Sequence, residues 1–476
     1  MAWYSNEGLL PNHTLLWRPS FEWQLSFFFA ASTPAEAAFG MLACAVAYGL
    51  LLVGYRTKLA QLASLFCVLS LHTRASFVGN GGDVVLGELA LFTAFLPTGR
   101  RCSLDALIAR KRAKSPSDVP HAGANARVVS LAVLGLTLQL GAIYLFNALN
   151  KTGNTWREGS VVHYMLFHSG IVTPLGDWVR GFITLRQSQA MTYFSWAVEA
   201  ILPVLLFVPI ALTRRVAVVL IVVLHTGFAL FLNLGVFVPA MIAFGLHFVP
   251  AEDWDRLERF LARRGGAPAW LRAAREPFEK LAERLARKAP IEPSRAVARL
   301  RSRMATLREV AAGALVALLL LEVLLDNPRV TSLERNHEPA FVRAIASYLQ
   351  FAQGWSMYAP DADKIDVNVI VRAVTADGRH VDPFNEAASP NARQPGNSIP
   401  ARLGQDNLFC AYALRIAGTP SYHQAFSEWI LRYAERTGRA ADGIVSFEAF
   451  EVRDEAPPPG GRQPRNTTVT RFLSYP

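Results

Sequence analysis

The chain has 476 residues, of which 52% are hydrophobic and only 18% charged. Soluble domains usually carry about 25% charged residues, and the mean hydropathy here is +0.23, so a purely soluble enzyme is excluded. Gly and Pro form no low-complexity tract, which also excludes disorder and fibrous repeats. The formal charge of +11 could suggest nucleic acid, but the basic residues sit beside apolar segments, as positive-inside topology requires. The four cysteines, Cys44, Cys67, Cys102 and Cys410, form no Cys-x-x-Cys pair. Neither a disulfide framework nor a thiol redox site follows, and no His/Cys spacing suits a metal.

Residues 1–35, with Trp3, Trp17, Trp23 and the run Phe27-Phe28-Phe29, read as an interfacial segment without a cleavable signal peptide. Its tail could serve as an uncleaved anchor. Apolar runs of spanning length follow at 36–54, 58–78, 128–149, 190–212 and 309–326, with a shorter one at 84–97. The long run 216–249 is interrupted by Asn233, Gly235 and Pro239 and predicts two helices joined by a tight turn within the membrane. The expected fold is therefore mainly α: a polytopic bundle of about eight transmembrane helices.

Charge orients it. Residues 98–127 carry Arg100, Arg101, Arg110, Lys111, Arg112, Lys114 and Arg127 against Asp105 and Asp118. Arg56 with Lys58, Arg214 with Arg215, and the Arg-rich stretch 250–308 fall on the same face when the spans are threaded in order. That face is expected to be cytoplasmic. Within 251–308, Trp254, Leu257, Phe260, Leu261, Phe278, Leu281 and Leu285 recur at helical spacing beside Arg259, Arg263, Arg264, Arg284 and Arg287. Such amphipathic helices suit an anionic leaflet, and membrane lipids are the expected partner. After a final span at 309–326, residues 327–476 turn soluble and predict a small exported α+β domain. Ile365, Val367, Val369 and Val371 alternate with Asp366, Asn368 and Ile370, Asp377-Gly378 supplies a hairpin turn, and Phe426, Trp429, Ile430 and Tyr433 mark a helix at 421–437. Strands at 444–453 and 467–473 flank the loop Pro457-Pro458-Pro459-Gly460-Gly461.

Ionisable groups inside spans are costly and so become candidate sites. These are His72, Arg74, Asp83, Glu88, Glu199 and His225, with Lys151 and Glu158 just past the fourth span. Each has a bland alternative. Arg74 can snorkel and pair with Asp83, His225 can be an interhelical hydrogen-bond donor, and Lys151 can be an interfacial anchor.

Three strings resemble one family. His72-Thr73-Arg74, Asn80-Gly81-Gly82-Asp83 and the run from Leu96-Pro97-Thr98-Gly99-Arg100-Arg101 to Asp105 are similar to the core of the HTTM domain, shared with vitamin K-dependent γ-glutamyl carboxylases. Tyr144 through Asn150-Lys151 to Trp156-Arg157-Glu158-Gly159 is a second match, and His225 with Asn233-Leu234-Gly235-Val236-Phe237 a third. The resemblance spans about 36–250. The tail string Gln353-Gly354-Trp355-Ser356-Met357-Tyr358-Ala359-Pro360 resembles tails of bacterial HTTM proteins.

The resemblance implies a reaction on the non-cytoplasmic side of an inner membrane. A lysine, here at the place of Lys151, acts as base on reduced vitamin K, a menaquinol-type quinone. The oxygenated quinone then removes a γ-proton from a peptide glutamate, and carbon dioxide adds. Arg74, Trp156 and Glu158 join His72, Asp83, Glu88 and His225 as expected cavity or cofactor-binding residues; no metal is expected. Carboxylases carry a histidine in an Asn-Asn-His-Ser run, whereas Gly82 stands at that place here, with Asp83 or His72 as candidate replacements. Two readings follow: a carboxylase-like lyase, or a non-catalytic quinone- or lipid-binding or maturation protein whose exported domain holds a polypeptide. A transporter is disfavoured because no mirrored repeat is visible. A polar cavity joining Lys151 to Glu88, Asp83 and His225 is expected from the first reading, a filled apolar interior from the second.

Overall fold

The computed structural model describes residues 3–16, 25–113, 129–262, 269–287, 295–327, 338–388, 406–459 and 466–476. Trp17, Trp23, Lys114, Asp118, Arg127, Arg263, Arg264, Gly460 and Gly461, which carry parts of the sequence reading, lie outside the described residues.

The helices begin where the sequence supplies caps. α1 (Pro34–Val53) opens with a capping box of Thr33 and Glu36 and Pro at the first position, and closes on Gly54 at φ 69°. α2 (Thr57–Arg74) runs back beside it. α3 (Gly81–Thr93) is capped reciprocally by Asn80 and Asp83. The short α4 (Leu104–Arg112) follows, then α5 (Leu131–Asn150), the single-turn α6 (Asn154–Glu158), α7 (Leu185–Phe207) and α8 (Ala211–Phe231). α8 stops at Phe231 and α9 (Phe237–Leu246) starts after a break at 232–236, where Gly235 takes φ 59°. The predicted interruption is thus real. Pro239 sits in the first turn of α9, where its missing N–H costs no hydrogen bond.

Four helices, α1, α5, α7 and α8, are long and apolar enough to cross a membrane. The other expected spans are helical too, but α3 and α9 have 13 and 10 residues. α2 carries Lys58, Gln61, His72 and Arg74, and α12 (Arg295–Asp326) carries Glu309, Glu322 and Asp326. By length and composition the described residues therefore support four spans, and the expected count of about eight is not reached by this measure. Between them α10 (Ala251–Ala262) turns Asp253 and Asp255 toward Arg215 (2.6 Å) and Arg101 (2.7 Å). α11 (Ala269–Ala286) packs Ala282 on Leu104 and Ile108 and ties Glu283 to Lys111 at 2.6 Å. Trp254, Leu257, Phe260, Trp270, Phe278 and Leu281 stay exposed along these two helices.

The C-terminal domain is a five-stranded antiparallel sheet, order β3-β2-β1-β4-β5. β1 (Ile365–Thr375) pairs along its whole length with β4 (Ile444–Glu455), which also pairs with β5 (Thr467–Tyr475). The Asp377-Gly378 turn leads into β2 (His380–Asp382), only three residues long, and then β3 (Ala387–Ala388). Gly378 takes φ 82°, as that turn requires. The helix expected at 421–437 breaks at Arg432 into α15 (His423–Leu431) and α16 (Tyr433–Thr437), preceded by α13 (Ala340–Leu349) and α14 (Asn407–Ile416). Phe426, Trp429 and Ile430 are buried as the spacing predicts.

Two findings depart from the sequence reading of the termini. Trp3, expected in an interfacial segment, is buried, its ring 4.7 Å from Phe409 and 5.6 Å from Tyr412 of the C-terminal domain. The second concerns a strap, residues 350–362, which threads into the helical bundle. Gln353 donates to Glu88 (2.7 Å) and Gln139 (3.1 Å), while Trp355 Nε1 and Gln139 Nε2 both donate to Gln353 Oε1 at 3.0 Å. Further along, Met357 N bonds Asn147 (2.9 Å), Trp156 Nε1 bonds the Tyr358 carbonyl (2.7 Å), and Thr155 N bonds Asp361 (2.7 Å). The loop 166–172 completes the junction through Ser169, which donates to Asp366 and accepts from Asn368 at 3.2 Å. The strap therefore enters the core of the helical bundle, where Trp355 is buried.

Candidate functional site

A cavity of about 660 Å³ lies where α3, α5, α7, α8, the strap and α14 converge. Its walls are mostly apolar: Met165, Phe194, Phe228, Phe231 and Phe237 among others. The polar lining comes from Asn80, Lys151, Ser195, Glu199, Asn407 and Arg415. Such a volume and such a wall fit a ligand held chiefly by burial and oriented by a few polar groups.

Lys151 is placed by three local choices. It is the residue after α5, so the backbone leaves the helix at its Cα. The short α6 ends at Gly159 with φ 72°, a conformation that L side chains rarely adopt, and a Cβ there would also meet Gln189 Cα at 2.9 Å. That bend turns the chain back, and Trp156 lies with its ring centroid 4.2 Å from Lys151 Nζ. The amine is buried and in contact with the Glu199 carboxylate. Burial pushes the Lys151 ammonium toward losing its proton at lower pH than usual, while Glu199 opposes that shift. Lysine and glutamate reach each other because Glu199 sits mid-way along α7, which packs along α5.

The remaining expected cavity residues do not meet there. His72 Nε2 lies 3.4 Å from Asp83, and Asp83 also caps α3 by accepting from Asn80 N at 2.9 Å. Arg74 neither snorkels nor pairs with Asp83. It is fully buried, and its guanidinium nitrogens have no hydrogen-bond partner among the described residues. Glu88 is enclosed in the core against Gln353. His225 Nδ1 donates within its own helix to Ile221 O (2.9 Å), and the ring stacks edge-on with Tyr144, the rings 6.2 Å apart. Glu158 is exposed at the end of α6. None of His72, Arg74, Asp83, Glu88, Glu158 and His225 is among the residues lining this cavity, so this cavity does not join Lys151 to Glu88, Asp83 and His225. The physical reason is helix phase. The strap's amides fill the space in front of Glu88, and the α3 cap holds Asp83 to its own backbone.

Glu199 was legible as a costly acid in a span, yet its pairing with Lys151 needs the α5–α7 contact. Asn407 and Arg415 come from the C-terminal domain and had no sequence signal. Asn80 Nδ2 donates to Asn407 (3.2 Å), Asn407 Nδ2 donates to Asn233 O (3.0 Å), and Arg415 donates to the carbonyls of Phe77 and Gly79. Gly82 lines the cavity because nothing larger fits: a Cβ there would lie 2.5 Å from Phe237 N and 2.6 Å from its Cα. The place aligned with the carboxylase histidine is closed by the start of α9.

Fold and site together define a multi-helix membrane protein whose buried, lysine-walled cavity is shared between the helical bundle and a C-terminal α+β domain. Residues 37–254 match the family model of the HTTM domain. That region carries an HTTM domain, which is also found in vitamin K-dependent γ-carboxylase. Comparisons with curated proteins and with solved structures give no match.

Proposed function

We propose that the protein carries out quinone-linked chemistry, carboxylation or a related reaction, in this cavity, with Lys151 as base. The observation that carries the reading is a buried amine in the wall of a mostly apolar cavity. A quinone fits the donor set. Phe194, Phe228, Phe231 and Phe237 offer apolar and aromatic surface for a ring and an isoprenoid chain, and Lys151 offers a polar contact for a ring oxygen. Ala190, Phe194 and Val223 line the cavity and are exposed on the candidate spans α7 and α8, which suits a ligand arriving from the bilayer. A hydroquinone, when bound, supplies reducing equivalents and ionisable hydroxyl groups. The chain's own contribution is to exclude water, orient the ring and hold a proton at Nζ.

The reading extends to an inner-membrane protein of about eight passes. The basic clusters face the cytoplasm, and the C-terminal domain, a candidate holder for a polypeptide substrate, lies on the other side. The second reading, a non-catalytic quinone- or lipid-binding or maturation protein, draws support from Gly82, where the family's histidine cannot be accommodated. Mass spectrometry of quinones and lipids retained by the purified protein tests the proposal: a menaquinone-type species at near-equal molar ratio is expected. Phospholipid alone would defeat the quinone reading. Reporter fusions after residue 330 that are active only in the cytoplasm would contradict the orientation.

A further inference from the structure

Lys151 comes from the end of α5 and Glu199 from the middle of α7, and their side chains meet in the cavity wall. Trp156 covers another side of the amine with its ring. Tyr144, two turns before Lys151 on α5, is buried near Glu199, and its hydroxyl has no hydrogen-bond partner among the described residues. Ser195, one turn before Glu199, donates its hydroxyl hydrogen to Thr192 O at 2.8 Å. The other ionisable lining residues are Tyr358 of the strap and Cys410 and Arg415 of α14, and Arg415 donates to backbone carbonyls. Lys151 Nζ and the Glu199 carboxyl are thus in hydrogen-bond contact, and these two are the amine and the acid of the lining.

An ammonium and a carboxylate in contact can exchange one proton without changing the net charge. Water favours the ion pair because it hydrates both ends. In a wall made of Phe and Trp side chains that hydration is lost, and a neutral pair gives up far less on burial. We propose that Glu199 is the internal acceptor of the Lys151 proton, so that the pair rests as an amine and a carboxylic acid. The N–H bond breaks, an O–H bond forms on Glu199, the electron pair stays on Nζ, and no proton leaves the cavity. The uncharged amine can then take a proton from a ligand, leaving one positive charge beside the ligand's anion. This proposal rests on the reading of Lys151 as a base, and it explains how that base tolerates an adjacent acid.

Infrared spectroscopy of the full-length protein at neutral pH, in H2O and in D2O, tests it. A protonated-carboxyl C=O band that shifts in D2O is expected, with Glu88→Gln used to assign any band from Glu88. The Glu199 band is expected to vanish in Glu199→Gln. It should vanish as well in Lys151→Arg, whose guanidinium keeps its proton and holds Glu199 as carboxylate. Absence of the band from the wild-type protein, or its survival in Lys151→Arg, overturns the proposal. If Glu199→Gln does not fold, Lys151→Arg carries the same test alone. The spectrum is read without quinone or substrate, so a Glu199 band in a protein that retains no quinone would sustain the pair and sink the quinone reading.

Discussion

Glu88 and Glu199 are both buried acids on helices of the same bundle, and they are held in opposite ways. Glu88 on α3 faces a packed core, where the amide of Gln353 fixes one oxygen at 2.7 Å. Glu199 on α7 faces a void and touches an amine. The first arrangement ties two domains together: Gln353 links α3, α5 and Trp355 through a closed set of bonds. The second sets the acid against an amine in the wall of a ligand-sized cavity. Burial of an acid in a span therefore does not by itself mark chemistry; what the acid faces decides.

The largest expected effect is on the cavity side. Lys151→Arg and Lys151→Ala should both remain folded and lose turnover by roughly 10²–10⁴-fold, the usual worth of a positioned base. Turnover assays with any identified substrate check this, and full activity in the arginine variant would leave the binding-protein reading ahead. Next comes the core side. Gln353→Leu strips partners from Glu88, Gln139 and Trp355, and should lower stability by roughly 3–5 kcal/mol, since each orphaned buried group costs about 1–3 kcal/mol. Thermal unfolding in detergent measures it. The bound quinone or lipid per folded molecule should not change, which is how the two regions are told apart.

A third buried acid, Asp382 in the C-terminal domain, extends the comparison away from the membrane. Burial raises its carboxyl from 3.8 to about 6, against the pull of hydrogen bonds from Asn385, Val371 and Phe384. The folded state therefore binds this proton more tightly than the unfolded chain. Its contribution is fully present below about pH 4 and is lost as pH rises through about 6, a swing of roughly 2–3 kcal/mol. Unfolding followed between pH 4 and 7 should show this slope, and Asp382→Asn should flatten it; an unchanged slope would refute the assignment. The smallest effect on stability is expected at Gly227, which lines the cavity and where a Cβ meets nothing within 4 Å. Gly227→Leu should change stability by no more than about 1 kcal/mol, yet reduce retained quinone several-fold. Unaltered retention would mean that the ligand sits elsewhere.

The sequence by itself determined the membrane class, the rough places of the apolar helices and the break at 232–236. Long apolar runs, capping residues and Gly or Asn at turns act locally and leave local marks. It also singled out Lys151, through the run from Tyr144 to Gly159, and marked Glu199 as a costly group in a span. It misjudged which costly groups share a space. His72, Arg74, Asp83, Glu88 and His225 have the right polarity and depth, but their directions depend on the rotation of each helix against its neighbours, which side-chain packing fixes. Only the tertiary structure decided that Glu199 is the partner of Lys151, because that pairing is a contact between residues 48 positions apart on different helices. It alone also decided that the strap that follows α13 fills the space before Glu88. The closed place at Gly82 has the same origin: the start of α9 approaches its Cα too closely for any side chain, a fact of packing with no trace in the residues around Gly82.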